Sequence, residues 1–331
     1  MILHPAVIAN VVSSLIISVT IVYAAVYGVQ ILLKWDLQSG EELQLRLERR
    51  TYLISTLLSF IFALELMSLF LFAFTADTLC PLFVGAMCAA GTLNVNAFGY
   101  PTLLMKMVTF LLAGLWLVLN YADNQAYDYP LIKKKYALLA VIAPLSVLET
   151  FLEGTYFLNL RADVITSCCG SLFSDEQVTG IGSELAALPI RPMMWTFFLG
   201  MGGMLLFGLW FYITGKGGYL YSLFTFTMFG VSLVSIISFI SLYIYELPTH
   251  HCPFCIVMKE YGYIGYALYL PLFLGAVTGG GIATLIPFRR IESLHAVLPA
   301  LIRKLTIISL AAYATFTAIV IYEIVASNLI L

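Results

Sequence analysis

Long apolar runs alternate with short polar connections along the whole chain, at about 5–33, 51–74, 102–121, 136–160, 193–214, 219–246, 255–278 and 304–327. Each is about as long as, or longer than, the roughly 18 residues that cross a hydrocarbon core. In that core only helices and closed barrels satisfy every backbone polar group. The pattern predicts an all-α, polytopic helical bundle of eight membrane helices, forming a single transmembrane domain over 1–331. The first run has no basic stretch before it and no small-residue cleavage site after it, so it reads as a retained helix and not as a signal peptide. Gly279, Gly280 and Gly281 are expected to end or break the seventh helix, and Pro144 and Pro271 to kink theirs. Composition agrees: with 61% hydrophobic and 10% charged residues, the chain cannot keep a soluble surface wet.

Charge gives this pattern a direction. Lys34, Arg46, Arg49 and Arg50 fall in the first connection, Lys133, Lys134 and Lys135 in the third, Lys216 in the fifth, and Arg289, Arg290, Arg303 and Lys304 in the seventh. The second, fourth and sixth connections together hold Arg161 and Arg191. Basic residues near helix ends stay in the cytoplasm, so the odd connections are expected there and both termini outside. The expected location is a bacterial or archaeal cytoplasmic membrane, with the bilayer itself as the first partner.

The orientation sorts the cysteines without using them. Cys80 and Cys88 lie in the second connection, Cys168 and Cys169 in the fourth (the outer loop 161–192), and Cys252 and Cys255 at the sixth. One pair thus falls on each outer connection, the side that permits disulfides. Six cysteines allow about 15 pairings, and three structural disulfides or buried apolar thiols would account for them.

His250-His251-Cys252-Pro253-Phe254-Cys255 precedes the seventh run and invites a chemical reading. If the helix begins there, unpaired N–H groups and the helix dipole lower a cysteine's pKa, with Cys252 the attacking sulfur. Alternatively His250, His251, Cys252 and Cys255, with Cys168 and Cys169 in reach, offer ligands for zinc or copper. A C-x-x-C at the outer end of a transmembrane helix, with further cysteines in outward loops, resembles the active-site arrangement of the vitamin K epoxide reductase family and of bacterial disulfide-forming membrane oxidases. That resemblance covers Cys252 to Cys255 and the following helix, and it implies electron transfer between periplasmic thiols and a membrane quinone. Those families are built on four helices, half the number predicted here.

Charges inside the predicted helices form a second constellation: Glu65, Lys106, Glu149, Glu153, Lys259 and Glu260. Each costs about 3 kcal/mol at a helix centre unless paired or wetted. Glu149 and Glu153 share a helix face, where two carboxylates repel unless a lysine or a proton joins them. Lys106 or Lys259 is the expected partner. Such a network either fixes helix register or serves as a proton relay, or as a pocket for a quinone head group or an ion.

The apolar second connection, 75–101, reads as a re-entrant or interfacial segment packed on protein, with Asn94 and Asn96 as turn residues or else polar groups of a pocket. Tyr261, Tyr263, Tyr266 and Tyr269 suggest an interfacial belt, with Tyr266 deep enough to line a pocket. Inward histidine pairs for haem and phosphate-binding glycine loops are missing from the sequence, so neither haem nor nucleotide is expected, and nucleic acid is not an expected partner. Three functions follow: a thiol/disulfide oxidoreductase relaying electrons to a quinone or a periplasmic thiol protein; a soft-metal binding or transport protein; and a non-catalytic subunit of a respiratory or transport complex.

Overall fold

A computed structural model describes residues 2–35, 42–166 and 188–330, and every regular element among them is helical. The elements are α1 (Pro5–Lys34), α2 (Glu42–Leu79), the five-residue α3 (Ala89–Leu93), α4 (Gly99–Asp123), α5 (Ile132–Leu158), α6 (Ile190–Thr214), α7 (Gly218–Tyr245), α8 (Ile264–Leu285) and α9 (Leu298–Ala326). Among the described residues eight helices, all but α3, are long and apolar enough to cross a membrane, and the chain is an integral membrane protein. Arg46, Arg49 and Arg50, expected in a loop, ride exposed on the first turns of α2. The chain divides into two compact units.

The first unit comprises Met1–Thr75, Asn96–Arg161 and Pro287–Leu301. In it α1 and α4 pack against α5. The buried seam of α5 runs Lys135, Leu139, Ile142, Ser146, Glu149, Glu153, Tyr156, alternating steps of four and three. That is a heptad repeat, and it keeps one face of the helix on its neighbours along its whole length. The buried face of α1 carries Asn10, Ser14, Ser18 and Gly28, while Val12, Leu15, Ile16 and Val19 are exposed. Lipid is as apolar as leucine, so close approach and hydrogen bonding, rather than hydrophobicity, choose the inward face. A Cβ on Gly28 would lie 2.8 Å from Tyr136 Cδ1, which is why the helices can meet there.

The second unit comprises Ala76–Val95, Ala162–Ile286 and Ile302–Leu331, with α7 packed against α6 and α8. The three glycines expected to break the seventh helix instead lie buried inside α8. A Cβ on Gly279 would meet Thr225 Cγ2 at 2.5 Å, and Ser222 donates to the Gly279 carbonyl at 2.7 Å. Gly275, one turn earlier, faces the Tyr313 ring, whose hydroxyl donates to the Thr225 carbonyl at 2.6 Å. The missing side chains bring the backbones of α7 and α8 together, and the intact helical hydrogen bonds offset the poor propensity of glycine.

A second correction bears on the chemistry. α8 starts at Ile264, and the expected start at Cys255 is instead a separate 3-10 turn, Cys255–Val257. Gly262 (φ +62°) and Tyr263 (φ +59°) adopt left-handed conformations that interrupt the chain just before the helix. A π-turn at Ile236–Ile240 lies within α7. The second connection folds as a 3-10 turn, Cys80–Leu82, followed by α3, and Cys80 and residues 88–93 are buried. Thr166, at the start of the fourth connection, ties to it through its N–H to the Val84 carbonyl (3.0 Å) and its hydroxyl to the Gly91 carbonyl (2.8 Å).

Candidate functional site: a three-sulfur centre and a buried acid cluster

In the second unit Cys88, from the segment before α3, meets Cys252 and Cys255. The three sulfurs all lie within 4.8 Å of one another, and all three residues are buried. Cys88 Sγ stands 3.5 Å from Cys252 Sγ. Cys252 accepts hydrogen bonds from the Cys255 and Cys88 thiols and from the N–H groups of Phe254 and Cys255, and these hold it well below the ordinary thiol range. The thiols that donate to it are pushed the other way: Cys88 up to about 11, and Cys255 further up. Of the three sulfurs, Cys252 is therefore the one that ionises most readily. The stabilisation expected from a helix amino terminus comes instead from neighbouring thiols and from turn N–H groups, since Cys252 lies outside any helix.

Aromatic side chains pin the loop. Tyr245, on the last turn of α7, donates to the Cys252 carbonyl at 2.5 Å, and Tyr269, on α8, donates to the Pro253 carbonyl at 2.8 Å. Tyr261 packs edge-on against Tyr245, as does His250, with ring centroids 4.6 and 4.4 Å away. Tyr261 and Tyr269 thus act as loop anchors. His251 contacts the Ile237 carbonyl through Nδ1 at 2.9 Å, and since a carbonyl only accepts, Nδ1 carries the proton. That carbonyl belongs to the π-turn of α7. His250 Nε2 is buried with no hydrogen-bond partner among the described residues, and burial lowers the histidine's pKa, which favours neutral imidazole.

Other expected members fall elsewhere. Cys80 is buried but outside the three-sulfur group. Cys168 and Cys169 lie outside the described residues. Lys259 and Glu260, expected one turn into the seventh helix, sit exposed in a 3-10 turn ahead of it, apart from the other charges.

The remaining four charges come together in the first unit. Lys106 Nζ lies 2.7 Å from Glu149 Oε1 and 2.9 Å from Glu153 Oε2, and it donates to Ser68 Oγ at 3.3 Å. Ser14 donates to Glu153 Oε2 at 2.5 Å, and Thr109 donates to Glu149 Oε2. The Glu65 carboxyl lies within hydrogen-bonding reach of Glu149 and Thr109. All four ionisable groups are at most 3% exposed.

A third buried group escaped the sequence reading. Lys135, counted among the exposed basic residues, is fully buried, 2.7 Å from Asp123 Oδ2 and 3.0 Å from Asn120 Oδ1. Asp123 Oδ1 accepts the Leu131 N–H at 2.8 Å, so the pair closes the α4–α5 connection. The signal was available: Lys135 continues the heptad of Ile142, Glu149 and Tyr156. Asn96, expected in a turn, spans one, accepting the Phe98 N–H at 3.0 Å and donating to the Tyr156 carbonyl at 3.1 Å.

Neither a protein-family model, nor a curated protein, nor a solved structure matches this chain.

Proposed function

We propose that the chain is a membrane thiol/disulfide oxidoreductase in which Cys252 exchanges disulfide partners between Cys255 and Cys88. The observation that carries this is the mutual reach of the three buried sulfurs. Thiol–disulfide exchange needs an attacking thiolate, a sulfur to attack and a leaving thiol along one approach. With Cys252 bonded to Cys88, attack by Cys255 on the Cys252 sulfur forms the Cys252–Cys255 bond and breaks the Cys252–Cys88 bond, and the proton of the Cys255 thiol passes to the departing Cys88 sulfur. That step moves the disulfide without net oxidation. In the net reaction a dithiol gives two electrons and two protons to a quinone or to an incoming disulfide, yielding a protein disulfide and a quinol or two thiols.

The resemblance of the C-x-x-C to that of the vitamin K epoxide reductase family and the bacterial disulfide-forming oxidases supports the quinone as acceptor. The distribution of basic residues supports an outward-facing centre, and the exposed Lys133 and Lys134 keep that argument intact without Lys135. Alkylation of native protein before and after mild reduction tests the reading. Cys88, Cys252 and Cys255 are expected to change state together, and Cys252→Ser to abolish the change at the other two. Equal alkylation under both conditions contradicts it.

A second reading rests on the spacing of the same three sulfurs. Three thiolates bound to zinc at about 2.3 Å stand roughly 3.8 Å apart in a tetrahedral site, close to the 3.5 Å between Cys88 and Cys252. A soft ion held by Cys88, Cys252 and Cys255 would appear in elemental analysis of purified protein and disappear in Cys88→Ser.

A further inference from the structure

Lys106 is overcommitted. An ammonium has three N–H donors, and Glu149, Glu153 and Ser68 take all three. Glu65 receives none of them, although it is 3% exposed and faces the Glu149 carboxyl. Thr109 has one hydroxyl hydrogen, which it directs to Glu149 Oε2. Two ionised carboxylates cannot hydrogen-bond each other, because neither has a hydrogen to give. Among the described residues no side chain donates a hydrogen bond to Glu65 Oε1.

A separate observation points the same way. Glu65 Oε1, Glu153 Oε1 and Asn10 Oδ1 are buried with no hydrogen-bond partner among the described residues. Asn10 is 1% exposed and stands one turn from Ser14 on α1, the residue that binds Glu153. Three carboxylates against one ammonium leave two uncompensated negative charges where the surrounding helices cross lipid, a medium that strongly disfavours unpaired charge.

We propose that this cluster is a buried proton-binding site, which takes up and releases one proton shared between Glu65 and Glu149. The step is carboxylate plus proton giving carboxylic acid, with Lys106 and the hydroxyls of Ser14 and Thr109 holding the remaining charges. It is independent of the thiol reading, since every residue involved belongs to the first unit.

Dicyclohexylcarbodiimide adds covalently to protonated carboxyls in apolar surroundings, so it reports the acid form directly. The full-length protein, in lipid or mild detergent, is treated across a range of pH and the adduct located by peptide mass spectrometry. The expected result is one adduct per chain, on Glu65 or Glu149, with a rate that falls about tenfold per pH unit above the titration point. Glu65→Gln should abolish it. An adduct confined to Glu153, or none on α2 or α5 at any pH, overturns the proposal. Protection by sodium ions at fixed pH also overturns it, by assigning the oxygens to a metal cation. If Glu65→Gln does not fold, infrared spectra of the wild-type protein decide: a carboxylic acid C=O band that disappears as pH rises is expected, and its absence at every pH contradicts the site.

Discussion

Lys106 and Cys252 each stand at the centre of a buried polar group, and the two groups are built in opposite ways. The ionisable groups around Lys106 come from long helices: Glu65 on α2, Lys106 on α4, Glu149 and Glu153 on α5. The sulfurs around Cys252 come from segments between helices, one before α3 and two in the loop before α8. A helix backbone fixes the position of its side chains, so the acid cluster is suited to holding charge. A loop pinned by a few hydrogen bonds lets sulfurs change partners. The first group is held by electrostatics that fail badly when one member is lost, the second by contacts worth little individually.

That contrast is easiest to break through stability. Lys106→Met leaves buried carboxylates without their cation and is expected to cost about 3–5 kcal/mol, read as a lower midpoint in thermal unfolding in detergent. A small loss would show that the carboxylates are already neutral and that Lys106 is incidental. Gly279→Val puts a side chain where the Thr225 methyl stands, and overpacking of that kind costs about 1–3 kcal/mol. Tyr245→Phe removes the hydrogen bond to the Cys252 carbonyl at a cost of about 1 kcal/mol, and faster alkylation of Cys252 should accompany it. Cys255→Ser should barely change stability while trapping Cys252 with Cys88.

The sulfurs are also separated by pH. Cys252 ionises below the ordinary thiol range, so its thiolate is favoured in the folded state. Its contribution to stability is present above the unfolded thiol's pKa and is lost as pH falls through the folded value. Cys88, raised to about 11, favours the folded state as a thiol, and that contribution is lost as pH rises toward 11. Alkylation of Cys252 is therefore expected to stay level through neutral pH and to drop on acidification, while that of Cys88 keeps rising into alkaline solution. Parallel pH profiles for the two would contradict the assignment of the thiolate.

How much of this the sequence carried follows from the same contrast. Helical periodicity is a local rule, and it put Glu149 and Glu153 on one face, with the partner left open between Lys106 and Lys259; the partner is Lys106. Extended by two heptads, it would also have placed Lys135 on the buried seam, where its position beside Lys133 and Lys134 suggested solvent. Gly275 and Gly279, four residues apart in an apolar run, are the small-residue signature of close helix packing, and they were outweighed by the helix-breaking reputation of consecutive glycines. Cys88 is another matter. Its meeting with Cys252, across 164 positions of sequence, depends on how two irregular segments fold, and no spacing rule reaches that far. The turn ahead of α8 was hidden for a related reason: hydropathy continues through Cys255, Ile256 and Val257, and only backbone conformation at Gly262 and Tyr263 ends it.

Peptide mapping of the disulfides formed when the native protein is mildly oxidised tests the central claim most directly. The account predicts Cys252 linked to Cys88 in one fraction of molecules and to Cys255 in another, with the balance shifting as oxidation proceeds. Cys88 recovered as a free thiol, or joined to Cys80, in every oxidised sample would contradict it.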